Sequence, residues 1–193
     1  MTLARNGKGS ALVWLGLGSL AVFAVFLQLA ASAEQGPKSA YGHKSDVELA
    51  VRLWRQLESK KLVGKDRINV HAFKGKRPHG PIQQVYASNV TINGHRGRVV
   101  VKANHKGKDL LIGDVYDDPN RYLADYTVMF VNEKGYDPEN GDWFWVIYKP
   151  DGRIGRSATG VPVAGRVGKD ENFGCIGCHR AVGGEDLEAL TSD

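Results

Sequence analysis

"PIQQVYASNVTINGHRGRVVVKANH", residues 81–105, decides the fold. Two runs rich in β-branched residues, 82–90 and 97–104, stand on either side of Asn93-Gly94. That dipeptide readily supplies the positive-φ corner of a tight hairpin turn. Side chains branched at Cβ are stiff and fit a pleated sheet better than the crowded surface of a helix. The stretch is therefore expected to form two antiparallel strands. Toward the C-terminus, "YLADYTVMFVN" (122–132) and "WFWVIYKPDGR" (143–153) repeat the pattern around the turn sequence "EKGYDPENGD", and Pro150-Asp151-Gly152 closes it. Strands are expected at 122–131 and 143–149, which makes four in a single antiparallel sheet.

Toward the N-terminus, "SDVELAVRLWRQLESKKL" (45–62) changes period. Val47, Ala50, Val51, Trp54 and Leu57 recur at helical spacing and predict an apolar stripe on a helix over 46–60. Ser45 reads as its N-cap, with Glu48 completing a capping box, and Lys60 and Lys61 suit the negative end of the helix dipole. The stripe needs a surface to cover, and the sheet offers one, with Trp54 expected in that contact. The fold class is thus α+β, a single antiparallel sheet with an N-terminal amphipathic helix packed on it. "IGRSATGVPVAGRVGK" (154–169), rich in Gly and small residues, reads as a loop leading to the C-terminal motif. There is no internal repeat, heptad or long low-complexity tract.

Both cysteines of the chain lie in that motif, "ENFGCIGCHR" (171–180). A thioredoxin-type pair belongs near the front of a βαβ unit, and a structural zinc site needs four ligands where only His179 is near. A short disulfide followed by an incidental histidine, or covalent haem, is left. In C-x-x-C-H the two thiols form thioethers with a haem, and the adjacent imidazole binds the iron axially. The favoured reading is one covalent haem c on Cys175 and Cys178 with His179 as the iron ligand.

Haem attachment of this kind is completed outside the cytoplasm, and the first 33 residues agree. Arg5 and Lys8 precede the apolar run 11–30, and Ala31-Ser32-Ala33 offers small residues for cleavage. Residues 1–33 are read as a signal peptide cleaved after Ala33, residues 34–193 as one haem c domain, and the location as periplasmic. An uncleaved membrane anchor is the alternative, because the run is long enough to span a bilayer. Removing 1–33 takes away two basic residues and no acid, so the formal charge falls from +5 to +3. Lysines and arginines are scattered through strand and turn sequence rather than gathered in one tract, so no nucleic-acid partner is expected.

A mostly strand body with its attachment motif last differs from small helical cytochromes c and from four-helix cytochromes c-prime. It resembles the cytochrome P-460 family and the related β-sheet cytochromes c-prime-beta. The resemblance spans about Asp46 to Leu190 and rests on "PHGPIQQVYASN", "VVVKANH", "YTVMFVNEKGYDPENGDWFWVIY" and "GCIGCH". It implies a small exported protein, often a homodimer, with five-coordinate haem and an open site opposite the histidine. In cytochrome P-460 a lysine is also bonded to the porphyrin, and the protein oxidises hydroxylamine. In the c-prime-beta branch the open site binds nitric oxide behind an apolar wall.

Lys102, after the strand "RVVV", is the match to the family lysine. The sequence departs from the family directly after it, with "KANHKGKD" where an acid is expected, and Lys106 and Lys108 compete for the role. The resemblance also implies a pocket acid near the C-terminus, for which Glu185, beside Asp186, is the candidate. Arg77 and His79 in "KRPHGP" are further candidates for the pocket wall, but a turn with Pro78 and Gly80 explains them. Three functions follow: a hydroxylamine oxidoreductase that passes electrons to a soluble partner such as another cytochrome c, a binder of nitric oxide or another diatomic gas, and a simple electron carrier. The carrier needs a sixth ligand, from Met129 or from His43, His71, His79, His95 or His105.

Overall fold

The computed structural model describes residues 40–169 and 175–183, which belong to a single unit, 39–193. The leading hairpin is β2 (Ile82–Ile92) and β3 (His95–His105), preceded by the three-residue β1 (Ala72–Lys74). β2 and β3 pair without interruption from Ile82↔His105 to Ile92↔His95. Asn93 (φ 53) and Gly94 (φ 86) both take the left-handed backbone that a two-residue hairpin turn demands. β4 (Leu123–Val131), β5 (Trp143–Tyr148) and β6 (Ala164–Gly165) follow. The six strands lie side by side in chain order, and every neighbouring pair is antiparallel.

The sheet thus has two more strands than the four expected. β1 and β6 are edge strands of three and two residues, too short to show an alternating pattern. β6 falls inside the segment expected to be a loop, where Trp145↔Gly165 and Val146↔Ala164 hold it to β5.

Helix α1 spans Lys44–Ser59, and His43, not Ser45, is its cap residue. No side chain caps it, and the His43 carbonyl accepts the Val47 N–H at 3.0 Å. Tertiary contacts fix the entry earlier than the local capping signal suggests. Gly42 N–H donates to the Ala164 carbonyl at 2.7 Å, and buried Asp46 accepts a hydrogen bond from Tyr136 Oη at 3.0 Å. The buried face is also rotated from the expected stripe. Ala50, Leu53 and Leu57 are fully buried, whereas Val51 is 44% exposed.

Trp54 is half-buried at the margin of this contact, meeting Tyr148 and Tyr126 at ring-centroid distances of 5.1 and 5.8 Å. Gly152 (φ 85) lies beneath it, where a Cβ would come within 2.5 Å of the indole. Leu53 rather than Trp54 is therefore the anchor. Leu53→Ala is expected to cost about 3 to 5 kcal/mol in urea unfolding, the cost of an unfilled core cavity. A loss under about 1 kcal/mol would contradict this packing.

Alternation along the strands divides the sheet into two faces. Val99, Val101 and Ala103 of β3, with Tyr126, Val128, Phe130, Phe144, Val146 and Tyr148, form the core shared with α1. Tyr148 Oη donates to the Ala50 carbonyl at 2.7 Å and ties helix to sheet. Val100, Met129, Trp143 and Trp145 form a second cluster, against which Cys175 and Ile176 pack.

At the end of β3, His105 is fully buried, with Nε2 3.2 Å from Gln84 Oε1 and with the Arg67 guanidinium near the same oxygen. Burial, and then the charge of Arg67, lowers its pKa to about 4. An unfolded histidine titrates near 6.5, so between those values the unfolded chain binds a proton that the folded chain refuses. Stability from this site is complete above pH 6.5 and is lost as pH falls toward 4. Wild type should lose roughly 2 to 3 kcal/mol more than His105→Gln between pH 7 and 4.5. Equal losses would contradict the assignment.

Candidate functional site

Lys102 lies within β3, paired in register with Val85 on one side and Thr127 on the other. The sequence reading ended the strand at 104 and treated the lysine as a strand-end residue; the ladder runs on to His105. Alternation then turns the Lys102 side chain to the face away from α1, where it is only 6% exposed. Among the described residues nothing hydrogen-bonds or ion-pairs with it. Burial lowers its pKa to about 8, because taking an ammonium out of water disfavours the charged form. Lys106 and Lys108 are exposed, and Lys106 pairs with Asp125 at 3.2 Å.

The cysteines stand on helix α3 (Cys175–Gly183), which follows α1 and the short α2 (Ile112–Asp117) in the chain. Positions 175, 178 and 179 are related by i, i+3 and i+4, so one helical face carries both thiols and the imidazole. The cysteines are not bonded to each other. His179 is 5% exposed, with its ring perpendicular to that of Trp145 at 4.9 Å. Arg180 fixes the helix from its other side by donating to the Glu139 carbonyl at 3.2 Å and to Asn140 Oδ1 at 2.8 Å. Both acceptors belong to a 3-10 turn, Pro138–Asn140, in the β4–β5 connection.

These residues meet at a cavity of about 360 Å³, within the ordinary range for small-molecule pockets. Lys102, Cys175, Cys178 and His179 all line it, so four of the five site residues read from the sequence come together. The fifth, Glu185, lies outside the described residues, as do the leader 1–33 and the segment 170–174. Val100, Met129, Ile147, Val163 and Val167 make most of the remaining wall apolar. Met129, one of the candidate sixth ligands, is both buried and cavity-lining.

Sequence reasoning missed Trp145 and ranked Arg77 and His79 as turn residues before pocket residues. Arg77 and His79, assigned to a turn, line the cavity, and so does Trp145. His79 Nδ1 lies 3.2 Å from Thr127 Oγ1. Its pKa is lowered to about 4, by burial first and then by the positive charge of Lys102, so its ring is neutral at pH 7. His79 belongs to the β1–β2 loop, where no periodicity marks the direction of a side chain. Lys102 was more legible, since "RVVVKANH" alternates and sets Val100, Lys102 and Asn104 on one face.

The fit of a haem can be judged from this donor set. Two thiols not joined by a disulfide and an imidazole line one cavity, and among the described residues the Lys102 amine buried there has no counter-charge and Trp145 Nε1 no hydrogen-bond partner. Among the described residues no group of three or more His, Cys, Asp and Glu is arranged to hold a metal ion. The residues present fit haem c. No described helix is long and apolar enough to cross a membrane. No family model, curated protein or solved structure matches the chain.

Proposed function

We propose that this chain is an exported mono-haem c protein of the cytochrome P-460 kind, and that it oxidises hydroxylamine. The observation that carries the reading is the meeting of Cys175, Cys178, His179 and Lys102 at one largely apolar cavity. Cys175 and Cys178 would hold the group through their sulfur atoms, and His179 would ligate its iron. Lys102 would be the residue that the resemblance implies is attached to the porphyrin. When bound, the haem supplies an iron that takes a nitrogen lone pair and passes electrons on.

The chain's own residues shape the chemistry around that group. Trp145 and the Arg180 anchor hold the imidazole plane of His179. Val100, Val163 and Val167 exclude water, which strengthens every electrostatic interaction inside. A buried, easily deprotonated Lys102 offers a neutral amine that a solvated lysine does not. Glu185 is the proposed acceptor for protons released by the substrate. Electrons leave to a soluble redox partner such as another cytochrome c, and the protein works as a homodimer in the periplasm.

The apolar wall favours a second reading, capture of nitric oxide or another diatomic gas. The absorption spectrum of the purified ferrous protein, read beside hydroxylamine turnover, separates the two. A strongly red-shifted Soret band with turnover is expected. An unshifted high-spin spectrum without turnover would overturn hydroxylamine oxidation in favour of gas binding. A sharp low-spin ferrous spectrum unmoved by added nitric oxide would point to a simple carrier.

A further inference from the structure

Basic residues that lie apart in the sequence are brought together at one end of the sheet. Ile82 pairs with Lys74 on one side and with His105 on the other, so the β1–β2 loop (75–81) and the chain after His105 leave the sheet at the same end. The two segments touch there. A Cβ on Gly80 would come within 2.8 Å of the His105 carbonyl oxygen and 3.5 Å of Lys106 Cγ. Lys76, Arg77, Lys106 and Lys108 stand on these two segments, and all four are exposed. Within 75–81 and 106–109 the only acid is Asp109. Lys106 Nζ lies 3.2 Å from Asp125 Oδ2, and the other oxygen of that carboxylate accepts from Asn104, on the Lys102 face, at 2.7 Å. The charge of Lys106 is also felt at His79 in the cavity wall.

The patch stands at the cavity mouth. Arg77 both lines the cavity and is exposed, and so does Cys178 on α3, so on the haem reading the edge of the group held by Cys178 opens to solvent beside these cations. The acids of the neighbouring helix are turned away. Asp114 and Asp117 belong to α2, which packs through Val115 against Ala72 and Ile82. Alternation puts Ile82 on the same sheet face as Tyr86, the face that α1 covers. Positive charge gathered beside an electron exit steers a negatively charged partner to it and speeds its arrival. We propose that Lys76, Arg77, Lys106 and Lys108 form the docking surface for an acidic electron-accepting protein, which takes one electron at a time at the cavity mouth. The position at the mouth favours a partner that exchanges electrons over an anionic lipid surface that only holds the protein. The inference rests on the haem reading of the cavity and is independent of the substrate that supplies the electrons.

The test uses the full haem-loaded chain, reduced with dithionite so that no substrate enters, and follows its reoxidation by stopped-flow absorption. Each ferrous iron gives one electron to one acceptor. The acceptors are ferricyanide, a trianion; tris(phenanthroline)cobalt(III), a trication; and an acidic blue-copper protein as the macromolecular probe. Lys76→Glu with Lys108→Glu reverses two charges outside the cavity wall. At low ionic strength this double variant should react with ferricyanide and the copper protein about fivefold more slowly or worse, and with the cobalt complex faster. The differences should shrink in about 0.5 M salt, where charges are screened within a few ångströms. Arg55→Glu with Lys60→Glu, exposed on α1, makes the same change in net charge away from the mouth and should move each rate less than about twofold. Equal effects from the two double variants, or rates that ignore the patch charges, would overturn the proposal. Patch-dependent sedimentation with phosphatidylglycerol–phosphatidylcholine vesicles, with oxidation by the copper protein unchanged in the patch variant, would overturn it in favour of a membrane surface. Covalent haem is established beforehand by mass, so a chain without it overturns the haem reading itself and is not mistaken for a failure of the patch.

Discussion

Changing Cys175 and Cys178 together to alanine is expected to abolish covalent haem attachment. The two thiols share one face of α3 and line the same cavity, so on the proposed reading they would hold one group rather than separate ones. Each single variant should retain at most one thioether and attach haem poorly, and the double variant should hold none after denaturation and extraction. His179→Gly is the informative contrast. It leaves both thiols in place, so haem remains attached while the spectrum of the iron changes. Normal covalent haem in the double variant would remove the central assignment.

Lys102→Ala carries the second large effect. The residue is held inside a strand, between Val85 and Thr127, and burial lowers its pKa to about 8. At pH 7 roughly one such amine in ten is neutral, against fewer than one in a thousand for a solvated lysine. The variant should keep His179-bound haem, show the spectrum of a simple haem c and lose hydroxylamine oxidation by on the order of a hundredfold or more. Lys102→Arg should lose it as well, because a guanidinium stays charged at any working pH. Retention of a shifted spectrum and full turnover in Lys102→Ala would show that the lysine has no such role. The exposed Lys106 and Lys108 would be tested next.

The fold was legible where one local signal was strong. Asn93-Gly94 fixed the central hairpin, and the aromatic run at 143–148 marked β5. β1 and β6 escaped because three and two residues carry no period; partners distant in the chain impose their pairing. The face of α1 was rotated for a similar reason, since Leu53 and Val51 are equally apolar and only the sheet decides which is covered. Ser45 offered a capping side chain, yet the pinning of Gly42 and Asp46 started the helix before it.

At the site, the cysteine spacing was informative because the chemistry depends on short-range geometry within one helical turn. Lys102 could be found by alternation, although its burial depends on residues from β4, β5 and α3 that no local pattern reveals. His79 and Trp145 reach the cavity only through tertiary arrangement, and the tautomer of His79 depends on Thr127, 48 residues away. Glu185 lies outside the described residues, so its part in proton transfer is a proposal from sequence and family resemblance.

The measurement that bears most directly on this account is the mass of the purified, denatured protein after export in cells that mature c-type haem. The account predicts one species, the chain from Glu34 plus a single haem, with the added mass mapping to the peptide that contains Cys175, Cys178 and His179. A chain of unmodified polypeptide mass, or one carrying only a Cys175–Cys178 disulfide, would contradict it.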